Sequence, residues 1–134
     1  WAANDEMAFG AMQAAQEKGK TPGKDLLFSG LNSSEAVLKA LINGDVSVLV
    51  GGHFTSGGWA LVMLHDYAAG YDFAERGGKD RQDPLFMEMS KDQAAALLKR
   101  MQNSRGYAMD FGAFSAAKNP KMTDYHFSLQ PLLD

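Results

Sequence analysis

Residues 46–56, Val46-Ser47-Val48-Leu49-Val50-Gly51-Gly52-His53-Phe54-Thr55-Ser56, pass from an almost unbroken apolar stretch through two glycines and a histidine to a pair of hydroxyl residues. The apolar part has the composition of a parallel strand covered by helices on both faces, and Thr55 or Ser56 is a helix opener. The same grammar occurs twice upstream. Residues 26–33 read Leu26-Leu27-Phe28-Ser29-Gly30-Leu31-Asn32-Ser33, and residues 1–5 read Trp1-Ala2-Ala3-Asn4-Asp5. Strands that alternate with helices at this spacing lie parallel in one sheet, whose ligands bind beyond the carboxyl ends of the strands. Asn4, Asn32 and His53 fall at those ends. The expected class is α/β, three layers deep (α/β/α), with a mostly parallel sheet.

The segments between these runs fit that plan. A first helix is expected over residues 5–18, with Met7, Ala8, Ala11, Met12, Ala14 and Ala15 facing the sheet. Gly19 and Thr21-Pro22-Gly23 end it, and strand two follows over 25–31. The second helix, 33–42, carries Ala36, Val37, Ala40 and Leu41 at helical spacing, and Asn43-Gly44-Asp45 stops it. A third helix runs from Thr55 or Ser56 to about residue 69, with Gly57 and Gly58 permitting tight packing. The charge-rich loop 70–83, containing Glu75, Arg76, Lys79, Asp80 and Arg81, reads as solvated surface with no binding role. Pro84 introduces a strand over 85–89, and Ser90-Lys91-Asp92-Gln93 is a capping box for a fourth helix bearing Ala94, Leu97, Leu98 and Met101 on one face. If the last strand and helix lack their usual neighbours, Leu97 and Leu98 are exposed and drive pairing of two copies. The division expected is a main body over 1–103 and a tail over 104–134 packed over another surface.

With 134 residues, 46% hydrophobic and 22% charged, the chain has the composition of one globular domain. Thirteen basic against sixteen acidic residues give no clustered positive field for phosphates, so nucleic acid is not an expected partner. The absence of cysteine excludes disulfides, thiolate catalysis and Cys-ligated zinc. Three scattered histidines provide no metal cluster, and no cofactor is expected. No apolar stretch approaches the roughly 20 residues that span a bilayer. The short first strand, Trp1-Ala2-Ala3, suggests that residues upstream of Trp1 belong to the same fold.

Each site candidate has two readings on the residues alone. Asn4, Asp5, Asn32 and Ser33 are helix-capping types, and capping is compatible with ligand contact. His53 is either a neutral hydrogen-bonding ligand contact or a satisfied loop histidine. Phe54 either stacks on the apolar face of a ligand or belongs to the core. His65 and Asp66, late in a helix, are structural, and His126 carries no role. Thr55-Ser56-Gly57-Gly58 lacks the lysine of a P-loop, no G-x-G-x-x-G follows a strand, and no G-x-S-x-G elbow is present. An enzyme is therefore not expected.

Ala2-Ala3-Asn4-Asp5-Glu6-Met7-Ala8-Phe9-Gly10-Ala11, Ser29-Gly30-Leu31-Asn32 and Asn43-Gly44-Asp45 followed by 46–50 together resemble the type I periplasmic solute-binding proteins, closest to the carboxy-terminal half of the ribose-type sugar-binding branch. The resemblance covers residues 1 to about 103, with the tail matched loosely. It implies one lobe of a hinged, two-lobed periplasmic protein, the amino-terminal lobe being the missing partner. Such a protein closes on a sugar or similar small polar ligand and presents the closed form to a membrane transporter (the ABC type) or a sensor kinase. By resemblance Asn4 is a ligand contact at the hinge-proximal loop and Asn32 one at the next loop; the third loop departs from the family, which often carries a glutamine near Gly52 or His53, and Asp5, His53 and Phe54 complete the expected ligand contacts. Asn32 stands where ribose-type members commonly carry an aspartate, and an amide donates as well as accepts, so the ligand's hydroxyl pattern is expected to differ. Two further readings share the architecture: the effector domain of a sugar-responsive transcription repressor, distinguished by an upstream DNA-binding segment, and a small flavodoxin-like enzyme, distinguished by turnover or a bound cofactor.

Overall fold

A computed structural model describes residues 1–83, 85–102 and 109–133. Pro84, the expected boundary between 103 and 104, and Gly106 lie outside the described residues. The chain orders as α1 (Asp5–Glu17), β1 (Ser29–Leu31), α2 (Glu35–Asn43), β2 (Val48–Gly51), a 3-10 turn (His53–Thr55), α3 (Ser56–Ala68), β3 (Met87–Glu88), α4 (Lys91–Met101) and α5 (Gln130–Leu133), with further 3-10 turns at Phe73–Glu75 and Phe111–Phe114. β1 and β2 pair in parallel, Ser29 with Val48 and Leu31 with Val50, and β3 adds to β2 antiparallel. The α/β class with a parallel sheet is thus as expected.

The strands are shorter than their apolar runs because neighbouring turns take their backbone groups. Residues 25–28 stay outside β1: Asp25 is held in a turn, donating its N–H to Thr21 O while its carboxylate accepts from Thr21 N–H, and Pro22 bridges Leu26. β2 starts at Val48 because the N–H groups of Gly44, Asp45 and Val46 all return to Ala40 O. Gly44, at φ 92°, is the left-handed residue that this reversal requires. Residues 1–3 form no strand, but Ala2 N–H donates to Ser29 O at 3.2 Å, which lays the start of the chain beside β1. β2 is covered unevenly rather than on both faces: Leu49 is fully buried while Val48 is 40% exposed.

Helix ends follow their capping chemistry. Asn4 caps α1, its Oδ1 accepting from Met7 N–H at 2.9 Å. α2 begins at Glu35 and not at residue 33, because Ser34 is the residue whose hydroxyl accepts from Val37 N–H. At α4 both halves of the capping box form, Gln93 N–H to Ser90 Oγ and Ser90 N–H to Gln93 Oε1. Replacing Ser90 with Ala should lower stability by about 1 kcal/mol in urea unfolding, the usual cost of a lost cap. An unchanged midpoint would show that α4 is held by packing alone.

Two cores result. The larger joins Met12, Val37, Leu38, Leu41, Val46, Leu49, Met89, Leu97 and Leu132 from α1, α2, the sheet, α4 and α5. Leu97 is 1% exposed and Leu98 packs against this core, so the expectation that they drive pairing of copies is overturned; α2 and α5 cover them. In α1, Ala8, Met12 and Ala15 are buried, but Met7 is 57% exposed, lying off the apolar stripe. The second core gathers Trp59 and Val62 of α3 with Ala116, Tyr125 and Phe127 of the tail. Trp59 stacks on Phe127 and meets Phe111 and Phe114 edge-on.

Candidate functional site

The parallel register decides which residues can converge. Ala2 lies beside Ser29, Leu31 beside Val50, and Asn32 N–H donates to Val50 O at 3.0 Å. The chain therefore leaves the sheet at Asn4, Asn32 and Gly52 along one edge. There Asn4 is exposed, Asn32 and His53 are half-buried, and Phe54 is partly buried against the larger core. Gly52, at φ 110°, turns β2 into the His53–Thr55 segment under Leu129 and the Leu85 carbonyl, with no room for a side chain.

Asp5 differs from the other candidates. It is 1% exposed, and its Oδ2 accepts from Ser34 N–H at 3.3 Å, tying the start of α1 to that of α2. Burial raises the Asp5 carboxyl above its ordinary range, while the Ser34 bonds and the nearby His53 oppose that rise. Its other oxygen, Oδ1, has no hydrogen-bond partner, and neither do the buried Ser33 Oγ and His53 Nδ1. Ser33 Oγ and the Asn32 carbonyl crowd the α-carbon of Gly51, and Asp5 Oδ1 faces Gly30. Of the four buried polar side-chain atoms without a partner among the described residues, these three lie on the same sheet edge and the fourth, Arg76 Nε, lies elsewhere. Buried polar groups are ordinarily paired, so these three atoms stand out from the rest of the sheet edge.

His53 brings a neighbour that its own stretch of sequence does not announce. Its ring stacks on Phe86, centroids 5.2 Å apart and planes 23° apart, and Phe86 is 53% exposed. Because β3 adds to β2 antiparallel, residue 86 is carried back to the edge where β2 ends.

The 70–83 loop is not merely solvated surface. Arg81 is 11% exposed in its side chain and donates to Asp83, to Asp124 Oδ1 at 2.5 Å and to the Tyr125 carbonyl at 2.7 Å, with its guanidinium over the Tyr125 and Phe127 rings. Asp83 above all, then Asp124, holds it in the charged form. Beside it opens a cleft of about 400 Å³ lined by Asp80, Asp83, Asp124, His126 and Ser128. The signal available in sequence was the pairing of Arg81 with Asp83 two residues on; its bond to residue 124 is tertiary.

Asp66 is structural, as expected. It is fully buried and accepts from Ser115 Oγ and Ala116 N–H at 2.5 Å each, Tyr125 Oη at 2.9 Å and His65 Nδ1 at 3.1 Å. Burial alone would raise its carboxyl, but these donors bring it down to about 2. Burial and the Asp66 carboxylate push the Tyr125 hydroxyl up to about 12. Among the described residues no three His, Asp or Glu side chains converge on a metal position, and no helix is long and apolar enough to cross a membrane.

No family model matches the chain. Among solved structures, a periplasmic sugar-binding protein from Pseudomonas fluorescens superposes with a TM-score of 0.88 at 53% identity, over 98% of this chain and 40% of that one. The periplasmic binding protein component of an arabinose ABC transporter from Shewanella sp. ANA-3, solved with α- and β-L-arabinofuranose, matches at 31% identity and a TM-score of 0.56, over 76% of this chain and 32% of that one. A galactofuranose-binding protein of Escherichia coli is 38% identical over 50 residues, which make up 37% of this chain and 16% of that protein. The resemblance to the type I periplasmic sugar-binding proteins is thus borne out in fold and in sequence. It reaches into the tail as well, beyond the 103 residues where motif order alone carried it. The chain spans about two fifths of the Pseudomonas protein.

Proposed function

We propose that this chain is the ligand-binding lobe of a periplasmic, non-enzymatic receptor for a sugar, which a second lobe closes over and an ABC transporter or a sensor kinase then reads. The observation that carries this is the set of unpartnered buried polar atoms at one sheet edge, Asp5 Oδ1, Ser33 Oγ and His53 Nδ1. They supply the acceptors and donors that a polyol needs, on backbone held by the parallel strands β1 and β2 and the start of the chain laid beside β1. The likeness to proteins solved with or named for furanoses supports a sugar in the five-membered ring form. In this reading Asn4, Asn32 and His53 meet the sugar hydroxyls, Phe54 and its surroundings close the apolar side, and Asp5 offers Oδ1 as an acceptor while its Oδ2 ties the start of α1 to that of α2.

Calorimetry on the two-lobed protein with L-arabinofuranose- and D-galactofuranose-containing sugars tests this. Asn32→Ala should weaken the preferred sugar by about 1–3 kcal/mol, the cost of leaving a buried partner unpaired. Unaltered affinity with an intact fold removes Asn32 from the site, and turnover of any tested sugar contradicts the non-enzymatic assignment.

A further inference from the structure

A second cleft lies between α3 and the 3-10 turn at Phe111–Phe114. It measures about 360 Å³, within the range of small-molecule sites, roughly 300–1,000 Å³. Leu61, Val62 and Phe111 form apolar walls, and His65, Ser115 and Lys118 stand among them. Gly58 and Gly112 keep it open: a side chain at 58 would run into the Phe111 ring, and one at 112 into the Lys118 ammonium. The Lys118 ammonium makes no ion pair among the described residues: Asp110 Oδ1 stands near it, against the same side of Gly112, but accepts from Gly112 N–H at 2.9 Å. The His65 ring is oriented by its Nδ1 bond to Asp66, which leaves Nε2 as its available nitrogen.

An apolar trough with an unpaired cation at its edge is complementary to one chemistry, an apolar body carrying a single negative charge. We propose that this cleft binds a small organic carboxylate, aryl or short-chain alkyl, with the body against Leu61, Val62 and Phe111 and the carboxylate at Lys118. Nothing in this site draws on the sugar-binding edge. Its chemistry is opposite: few hydroxyl-matching groups, mostly apolar wall, and one fixed charge.

The test is calorimetric titration of the protein with 4-phenylbutyrate and, separately, with its uncharged amide. The acid should bind saturably and more tightly than the amide, and Lys118→Gln should weaken the acid by about fivefold while leaving the amide unchanged, the size of an exposed charge contact. Added salt should weaken the acid alone. Leu61→Glu, at a position 67% exposed and so harmless to folding, should abolish binding of both. Absence of saturable binding at about 10 mM, a range where even millimolar affinity registers, overturns the proposal. So does equal binding of acid and amide, or an unaltered Lys118→Gln titration.

Discussion

Asp66→Ala should destabilise the chain by about 3–5 kcal/mol, the largest loss expected of any single substitution away from the apolar core. Asp66 is the only described acceptor for the Ser115 hydroxyl, the Ala116 N–H and the Tyr125 hydroxyl, and all of these groups are buried. Alanine leaves every one of those donors without a partner in a dry setting, and each orphan costs about 1–3 kcal/mol. The tail then loses its anchor on α3, and the Trp59–Phe127 stack loosens with it. Urea unfolding followed by tryptophan fluorescence measures this directly, because Trp59 sits inside the affected core. A loss under 1 kcal/mol would mean that the aromatic stack holds the tail unaided.

The same carboxylate predicts a pH response with a definite sign. Its folded value, about 2, lies below the ordinary 3.8, so its stabilisation is present above about pH 4 and is lost as pH falls toward 2. Asp5 works in the opposite sense. Its folded value is raised by burial, so its contribution is present below 3.8 and is lost as pH rises through the folded value. Asp66→Asn should therefore flatten the acid limb of the stability profile, whereas Asp5→Asn should gain relative stability as pH rises from 3 toward neutrality.

Gly52→Ala is expected to cost about 2–4 kcal/mol and to disable ligand binding together. The residue sits at φ 110°, where a β-carbon is strained, and that carbon would meet both Leu129 and the Leu85 carbonyl. Relief requires moving the 53–55 turn, which carries His53 and its stack on Phe86. A variant that folds with wild-type stability and binds sugar normally would show that the turn adapts freely, and would sever the link drawn here between Gly52 and the site.

Much of this was legible in the sequence because it depends on local rules. The passage of β1 and β2 into helices, the Asn4 cap and the Ser90–Gln93 box follow from residue type and spacing over a few positions, whereas the partners of Asp66 come from the tail. The strand lengths did not follow in this way, since Lys24 and Asp25 return their N–H groups to Thr21 O and Val46 returns its own to Ala40 O, which holds the starts of both apolar runs in turns. Arg81 read as surface because its partners Asp124 and Tyr125 lie more than 40 residues away. Phe86 escaped notice for the same reason: only the antiparallel addition of β3 brings it to His53. Asp5 reads in sequence as a capping type or a ligand contact, and its burial becomes visible only with α2 laid against the start of α1.

Amide hydrogen exchange of the two-lobed protein with and without a galactofuranose ligand probes the shared sheet edge most directly. Protection should appear together at residues 4–5, 32–34 and 52–54, the tips of three successive units. Protection confined to residues 80–83 and 124–128, around the Arg81 cleft, with those tips unchanged, would contradict the account.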